Sequence, residues 1–223
     1  MTVAAFPICL PSDALLTRLA PAAPVPGRAD LMAWQARDVF DLWQAWEEES
    51  GRKQDIPYWA TVWPAARLMA AYLGGRPETT AGKVVLDFGC GGGVAALAAA
   101  RSGAARVIAN DIDPAALAMA ERNADLNRLA LEIEEENLLS RPPDPEWNVI
   151  LVADLFYEKS VAGPMLDWLR RALSQGSRVL IADACRPFAP QAGVRILAEE
   201  TYATDMDLEG STARKVRLLE LLP

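Results

Sequence analysis

The chain has 223 residues, enough for one sizeable α/β domain and cramped for two. Half of them are apolar and 23% are charged, which is a globular balance and not a disordered one. A net charge of −8 argues against a large nucleic-acid footprint, and the absence of histidine excludes Ser–His and Cys–His nucleophile systems and removes the commonest zinc ligand.

Residues 1–30 are rich in Pro and Ala, with Pro21, Pro24, Pro26 and Gly27 close together. Proline lacks an amide donor and disfavours helix in the residue before it, so an irregular arm is expected here. Residues 38–49 read as a helix with Phe40, Leu42, Trp43 and Trp46 as its apolar residues, ended by Ser50-Gly51. Residues 65–73 read as a short amphipathic helix. Val84-Val85-Leu86 has the apolar character of a buried parallel strand. A glycine-rich turn follows, then a helix over 94–101. The next strand is 106–110, and Pro114 opens a helix that runs to about Asn127. Residues 131–134 form a weak third strand, 149–153 a fourth, 161–173 a helix and 178–182 a fifth strand. The tail is expected to close with an antiparallel pair over 201–205 and 215–221. This alternation specifies a doubly wound parallel sheet with right-handed crossovers.

The three cysteines, Cys9, Cys90 and Cys185, are far apart, so neither a disulfide framework nor a metal knuckle is indicated. No apolar run approaches the ~18–20 residues that span a bilayer, and no basic segment precedes an apolar one at the start. A cytoplasmic protein without membrane, metal or nucleic-acid partners is expected.

The strongest motif is Asp87-Phe88-Gly89-Cys90-Gly91-Gly92-Gly93, directly after a strand and before a helix. In open α/β sheets ligands sit at the carboxyl ends of the strands, and glycine there lets the backbone approach them. Asp111 ends the second strand, 20 residues beyond Gly91, where a carboxylate meets a ribose diol. Asp113 is a rival for that role, but its place just before Pro114 suits a helix N-cap. Dinucleotide binders share this geometry. Val94 stands where their third spaced glycine would fall, and a carboxylate at Asp87 would repel a pyrophosphate. A zwitterionic, sulfonium-bearing ligand tolerates it, which favours S-adenosylmethionine, bound by Asp87, Gly89, Gly91 and Asp111. Asn137, after the third strand, reads either as an adenine-edge partner or as a turn residue.

Pro57-Tyr58-Trp59-Ala60-Thr61-Val62-Trp63-Pro64 places three aromatics in six residues. They are either a core plug or flat faces for a sulfonium or a substrate cation. In a helical turn Trp59 and Trp63 would share a face. Asp154-Leu155-Phe156-Tyr157 follows the fourth strand, where a methyl acceptor would meet the cofactor. Asp154 and Tyr157 are the candidate catalytic residues. Asp183 and Arg186 follow the fifth strand, and Arg186 has either Asp183 or a substrate to pair with.

Together these segments resemble the class I S-adenosylmethionine-dependent methyltransferases of family sixteen. Within it they are similar to the bacterial relatives of the electron transfer flavoprotein beta-subunit lysine methyltransferase, a group that also carries the older label nicotinamide N-methylase. The matching stretches are 57–64, 85–93, 111–114, 154–157 and 181–187, and the likeness covers roughly residues 35–220. The acidic-x-x-aromatic signature at 154–157 is the narrowest of them. Two departures stand out: Pro64-Ala65-Ala66, where relatives carry paired small residues including glycine, and Ala184-Cys185, where Pro-Gly is usual. The resemblance implies a Rossmann-like α/β fold with a seven-stranded sheet of order 3-2-1-4-5-7-6 and helices on both faces. The chain is expected to divide into an N-terminal helical or irregular extension over 1–55, packing on the core, and a methyltransferase domain over 56–223. The resemblance also implies lysine N-methylation of a protein such as the electron transfer flavoprotein beta subunit, yielding S-adenosylhomocysteine. A small-molecule N-methyltransferase and a catalytically silent cofactor-binding module are the alternatives.

Overall fold

The computed structural model describes residues 10–223. Seven strands form the main sheet. They are β3 (Val84–Phe88), β4 (Arg106–Asn110), β5 (Glu132–Glu134), β6 (Val149–Ala153), β7 (Arg178–Asp183), β8 (Val194–Ala203) and β9 (Ala213–Leu221). The sheet order is β5-β4-β3-β6-β7-β9-β8, which is 3-2-1-4-5-7-6 when its own strands are counted in chain order. All pairs are parallel except those made by β9, which runs antiparallel to both β7 and β8. The chain thus has the Rossmann-like fold with a closing antiparallel strand pair.

Both faces of the sheet are covered, which explains why β3, β6 and β7 are apolar at successive positions. On one face Val85, Val107, Leu151 and Leu180 pack against α3 (Pro64–Gly75) and α4 (Val94–Arg101). The run Ala95–Ala99 of α4 is buried throughout, and the small side chains let the helix lie close to the sheet. On the other face Leu86, Ile150, Val152 and Ile181 pack against Met165, Trp168 and Leu169 of α6 (Lys159–Ser174). Pro114 occupies the first turn of α5 (Pro114–Asn127), and the Asp113 carboxylate caps it by accepting from Ala115 N at 2.8 Å.

The expected irregular arm over 1–30 is corrected from residue 10 onward. Ser12 caps a short helix α1 (Asp13–Leu19), and β1 (Ala22–Val25) pairs antiparallel with β2 (Arg28–Trp34). Pro24 fits because β1 pairs with β2 alone and has no strand on its other edge, and Gly27 supplies the turn at φ +83. Helix α2 (Val39–Ser50) follows, ended by Gly51 in the left-handed region. These elements are anchored on the domain. Leu16, Leu42, Trp46 and Trp59 form a cluster with Ala115 and Met119 of α5.

Two asparagines one helical turn apart on α5 complete the attachment. Asn127 accepts from Met32 N and donates to Met32 O, in place of a neighbouring strand. Asn123 accepts from Trp34 N at 2.9 Å and donates to Gly92 O at 2.8 Å, joining β2 to the glycine loop. The tail strand expected at 201–205 is also corrected. β8 begins earlier and ends at Ala203, and Asp205 instead caps the short helix α7 (Met206–Glu209). A register irregularity between Ile196 and Ala198 breaks the period-2 pattern that would have marked the strand. No helix among the described residues is long and apolar enough to cross a membrane.

Candidate active site

Four neighbouring parallel strands, β4, β3, β6 and β7, end in or lead directly to a carboxylate: Asp111, Asp87, Asp154 and Asp183. Parallel pairing places all four at one edge of the sheet, where open α/β sheets bind their ligands.

The loop after β3 is shaped by close approach. A Cβ on Gly92 would lie 2.5 Å from the Trp59 carbonyl oxygen, and one on Gly89 would lie 2.4 Å from Leu155 Cδ1. Gly89 also sits at φ +68. Gly92 is therefore demanded by the Trp59 backbone, and Gly89, Gly91 and Gly93 by their left-handed φ. Cys90 N donates to Asn110 O, and Gly91 N donates to Asp111 Oδ2 at 2.9 Å. The other Asp111 oxygen accepts from Asp113 N at 3.0 Å. Asp111 thus holds the loop while keeping a lone pair on each oxygen for a ligand. Burial pushes its carboxyl above the ordinary range.

Asp87 is placed differently from a ligand contact. It is buried, and its Oδ2 accepts from Ala96 N in the first turn of α4 at 2.8 Å. Burial, with the Asp111 charge adding, pushes its carboxyl up to about 7. A carboxyl so raised gives up its proton less readily, so its charge is a weaker barrier to pyrophosphate than the sequence reading requires. Its visible work is to brace the start of α4 behind the loop.

The aromatic segment separates. Tyr58–Ala60 is a single 3-10 turn, so Trp59 and Trp63 do not share a helical face. The Trp59 ring is in the core, edge-on to Trp46 at 5.9 Å, and only its backbone meets the glycine loop. Trp63 instead packs against Tyr58 at 5.8 Å, and Tyr58 is exposed. Asn137 is exposed and accepts from Leu139 N at 3.1 Å, as a turn residue does. Ile112, between the two aspartates, carries no polar signal in the sequence. It is 71% exposed beside Asp111 and offers an apolar face to a planar base.

After β6 the backbone turns sharply. Asp154 has φ +61, a region that Asp tolerates better than most residues, and its carboxylate is buried. Both of its oxygens are held by Arg186, Nε to Oδ1 at 2.8 Å and Nη2 to Oδ2 at 2.6 Å. The Asp183 pairing that the sequence offers for the Arg186 side chain is not what is found. Its side chain pairs with Asp154, and its backbone N–H donates to Asp183 Oδ1 at 2.7 Å. Arg186 also reaches Glu209 of α7 at 3.0 Å. Glu209 lies 23 residues further along the chain, and no local pattern marks it. Asp183 is buried with Oδ2 unpartnered, and burial pushes its carboxyl up to about 6. Tyr157 is 60% exposed; partial burial, then the nearby Tyr58 phenol and the charges of Glu158, Asp111 and Asp154, push its own phenol up. Tyr157 follows Asp154 by three residues in the loop after β6, on the same end of the sheet as Asp111.

Comparison with known proteins agrees with this layout. The family model for ribosomal protein L11 methyltransferase (PrmA) matches residues 73–161, a span that contains the glycine loop, Asp111 and Asp154 to Tyr157. The chain is 43% identical over 132 residues to the electron transfer flavoprotein beta subunit lysine methyltransferase of Xenopus laevis, covering 58% of this chain and 53% of that one. It is 39% identical over 144 residues to the protein of the same name from Homo sapiens, covering 64% and 55%. The chain spans about half the length of the curated relatives it matches. Among solved structures, the [4+2]-cyclase SpnF superposes with a TM-score of 0.53 at 16% identity, over 71% of this chain and 80% of that one. A cyclase on the same fold is a reminder that the sheet alone does not specify the reaction.

Proposed function

We propose that this chain is an S-adenosylmethionine-dependent N-methyltransferase acting on a lysine side chain of a protein, with the electron transfer flavoprotein beta subunit as its first candidate substrate, in the cytoplasm. The observation that carries the reading is the joining of the glycine loop to Asp111 through the Gly91 amide, in a span shared with methyltransferase relatives. The cradle fits the cofactor. Asp111 keeps lone pairs for a ribose diol, and exposed Ile112 supplies a face for adenine. A Cβ on Gly91 would meet nothing nearer than Trp59 Cα at 4.0 Å, so the loop is open on that side. Asp87 and Gly89 hold the loop's shape, and Asn137 is near enough in sequence to β5 to close the adenine side.

When bound, the cofactor supplies a methyl group on a sulfonium. The chain's part is to bind, orient and exclude water. Tyr58, Trp63 and Tyr157 form the aromatic side of the cleft, whose faces favour a cation. Asp154 Oδ1 already accepts from Arg186 Nε and the Ala184 amide, so it is Oδ2, with one donor from Arg186, that has a lone pair to offer the incoming amine. The chain contains no histidine, and the amine loses its proton to solvent before attack.

Titration calorimetry with S-adenosylmethionine, S-adenosylhomocysteine and NAD tests the cofactor. Saturable binding of NAD alone overturns the reading. Radiolabelled methyl transfer to the electron transfer flavoprotein beta subunit, and to a cell lysate, tests the substrate. Label in a protein band supports lysine methylation. Label only in small molecules, or none at all, refutes it.

A further inference from the structure

An amine must be neutral to attack, and an unpaired buried carboxylate beside it would hold it as ammonium. The structure contains a device that removes this conflict. Arg186 holds both Asp154 oxygens, and it is itself shared with Glu209, through Nη1 to Oε2 at 3.0 Å and Nη2 to Oε1 at 3.2 Å. The three side chains are 17%, 6% and 3% exposed for Arg186, Asp154 and Glu209, so water screens them little. The groups that face this pair come from four elements. Asp154 follows β6, Asp183 ends β7, Glu209 ends α7, and Arg214 of β9 reaches Glu209 at 3.3 Å. Tyr157, three residues beyond Asp154 and 60% exposed, is the nearest titratable side chain in the same loop that reaches solvent and can report on the Asp154 charge. Guanidinium does not titrate in proteins, so the compensation holds at every working pH.

We propose that Arg186 is a positioning residue that sets the proton affinity of the incoming amine: it cancels the Asp154 field there, and Glu209 sets how much of the Arg186 charge remains to do so. The proposal rests on the methyl-transfer reading for its substrate, but its electrostatics exist without one. It separates two parts of the same residue. The Asp154 oxygens orient the amine, and the bound guanidinium keeps them from trapping a proton on it. Glu209 enters from α7, in the connection between β8 and β9, so that connection is tied to the charge balance at Asp154.

Two charge-removing changes, one of them isosteric, make opposite demands. Arg186→Gln uncovers Asp154, and Glu209→Gln frees more of Arg186. The first readout is the ionisation of the Tyr157 phenol, followed by ultraviolet difference titration of the full chain without substrate and assigned with Tyr157→Phe. Arg186→Gln should raise the midpoint and Glu209→Gln should lower it, with Arg186→Lys near the parent. The second readout is the acid limb of kcat/KM for transfer to the electron transfer flavoprotein beta subunit. It should move up by about one pH unit in Arg186→Gln, a loss of roughly tenfold at neutral pH that alkaline buffer restores, and down in Glu209→Gln. A merely structural role moves both variants the same way and shows no alkaline rescue. Phenol midpoints that stay put, or move in the same direction, overturn the inference. Opposed midpoints in a parent that methylates nothing sink the transferase reading and leave the field as assigned.

Discussion

Asp87 offers the sharpest test of how the loop is held. It is 1% exposed, and burial pushes its carboxyl from 3.8 to about 7. Between those two values the folded state keeps a proton that the unfolded chain has released. Stability therefore falls as pH rises through this window, and is flat again above it. A shift of roughly three units at 1.36 kcal/mol each bounds the cost at about 4 kcal/mol. Asp87→Asn removes the titration while an amide oxygen can still accept from Ala96 N. The variant is expected to match the parent below the window and to exceed it by ~1–3 kcal/mol at neutral pH, less than the bound because the new amide NH₂ needs its own acceptor. Urea unfolding of both proteins across the window measures the difference directly. A difference that does not change with pH, or that grows toward acid, would refute the account of Asp87 as a buried acid held against its preference.

Three further outcomes are expected. Asp111→Ala should weaken S-adenosylmethionine binding by ~1–3 kcal/mol in calorimetry, whereas Asp113→Ala should lower unfolding stability by ~0.5–2 kcal/mol as a lost helix cap and leave affinity nearly unchanged; swapped effects would show the wrong carboxylate chosen. Asn123→Ala should cost about 1–3 kcal/mol of stability, because Trp34 N–H and Gly92 C=O both lose their partner, and hydrogen exchange should rise in β2 and in the glycine loop together. Asp154→Asn should keep cofactor affinity within about threefold while turnover falls ~100-fold or more, with Tyr157→Phe milder, as measured by calorimetry beside steady-state methyl transfer; equal losses in both would move Asp154 to the cofactor side.

What was legible in the chain is what its chemistry keeps local. Strand β3, the glycine loop and α4 are contiguous, and so are β4, Asp111 and the Asp113-Pro114 helix start. Each carries its own capping or turn residue, so a short window suffices. The hairpin of β1 and β2 was hidden by its prolines, which argue against strands except on free edges such as these. Strand β8 was hidden by a bulge that breaks its alternation. Asn123 and Asn127 look like polar residues on a solvated helix, yet they serve as a strand's hydrogen-bond partners. Trp59 sits in a motif with exposed Tyr58, and nothing in the order of residues says which ring turns inward.

The four acids at the sheet edge show why a list of candidate residues falls short of a site. They are alike in the sequence, each at or just beyond the end of an apolar strand. Their partners distinguish them. Asp87 is met by one amide and buried, so it braces. Asp111 is met by two amides and left half open, so it can hold the loop and still accept from a ligand. Asp183 is met by the Arg186 amide, keeps one oxygen unpartnered, and has its carboxyl pushed up to about 6. Asp154 alone has a full cation on both oxygens and an exposed aromatic beside it. A carboxylate so compensated can accept hydrogen bonds from an amine without holding its proton, and none of the other three is equipped to do that. The proposal that Asp154 faces the acceptor therefore rests on Arg186 and Glu209, residues drawn from two later parts of the chain, as much as on the motif in which Asp154 stands.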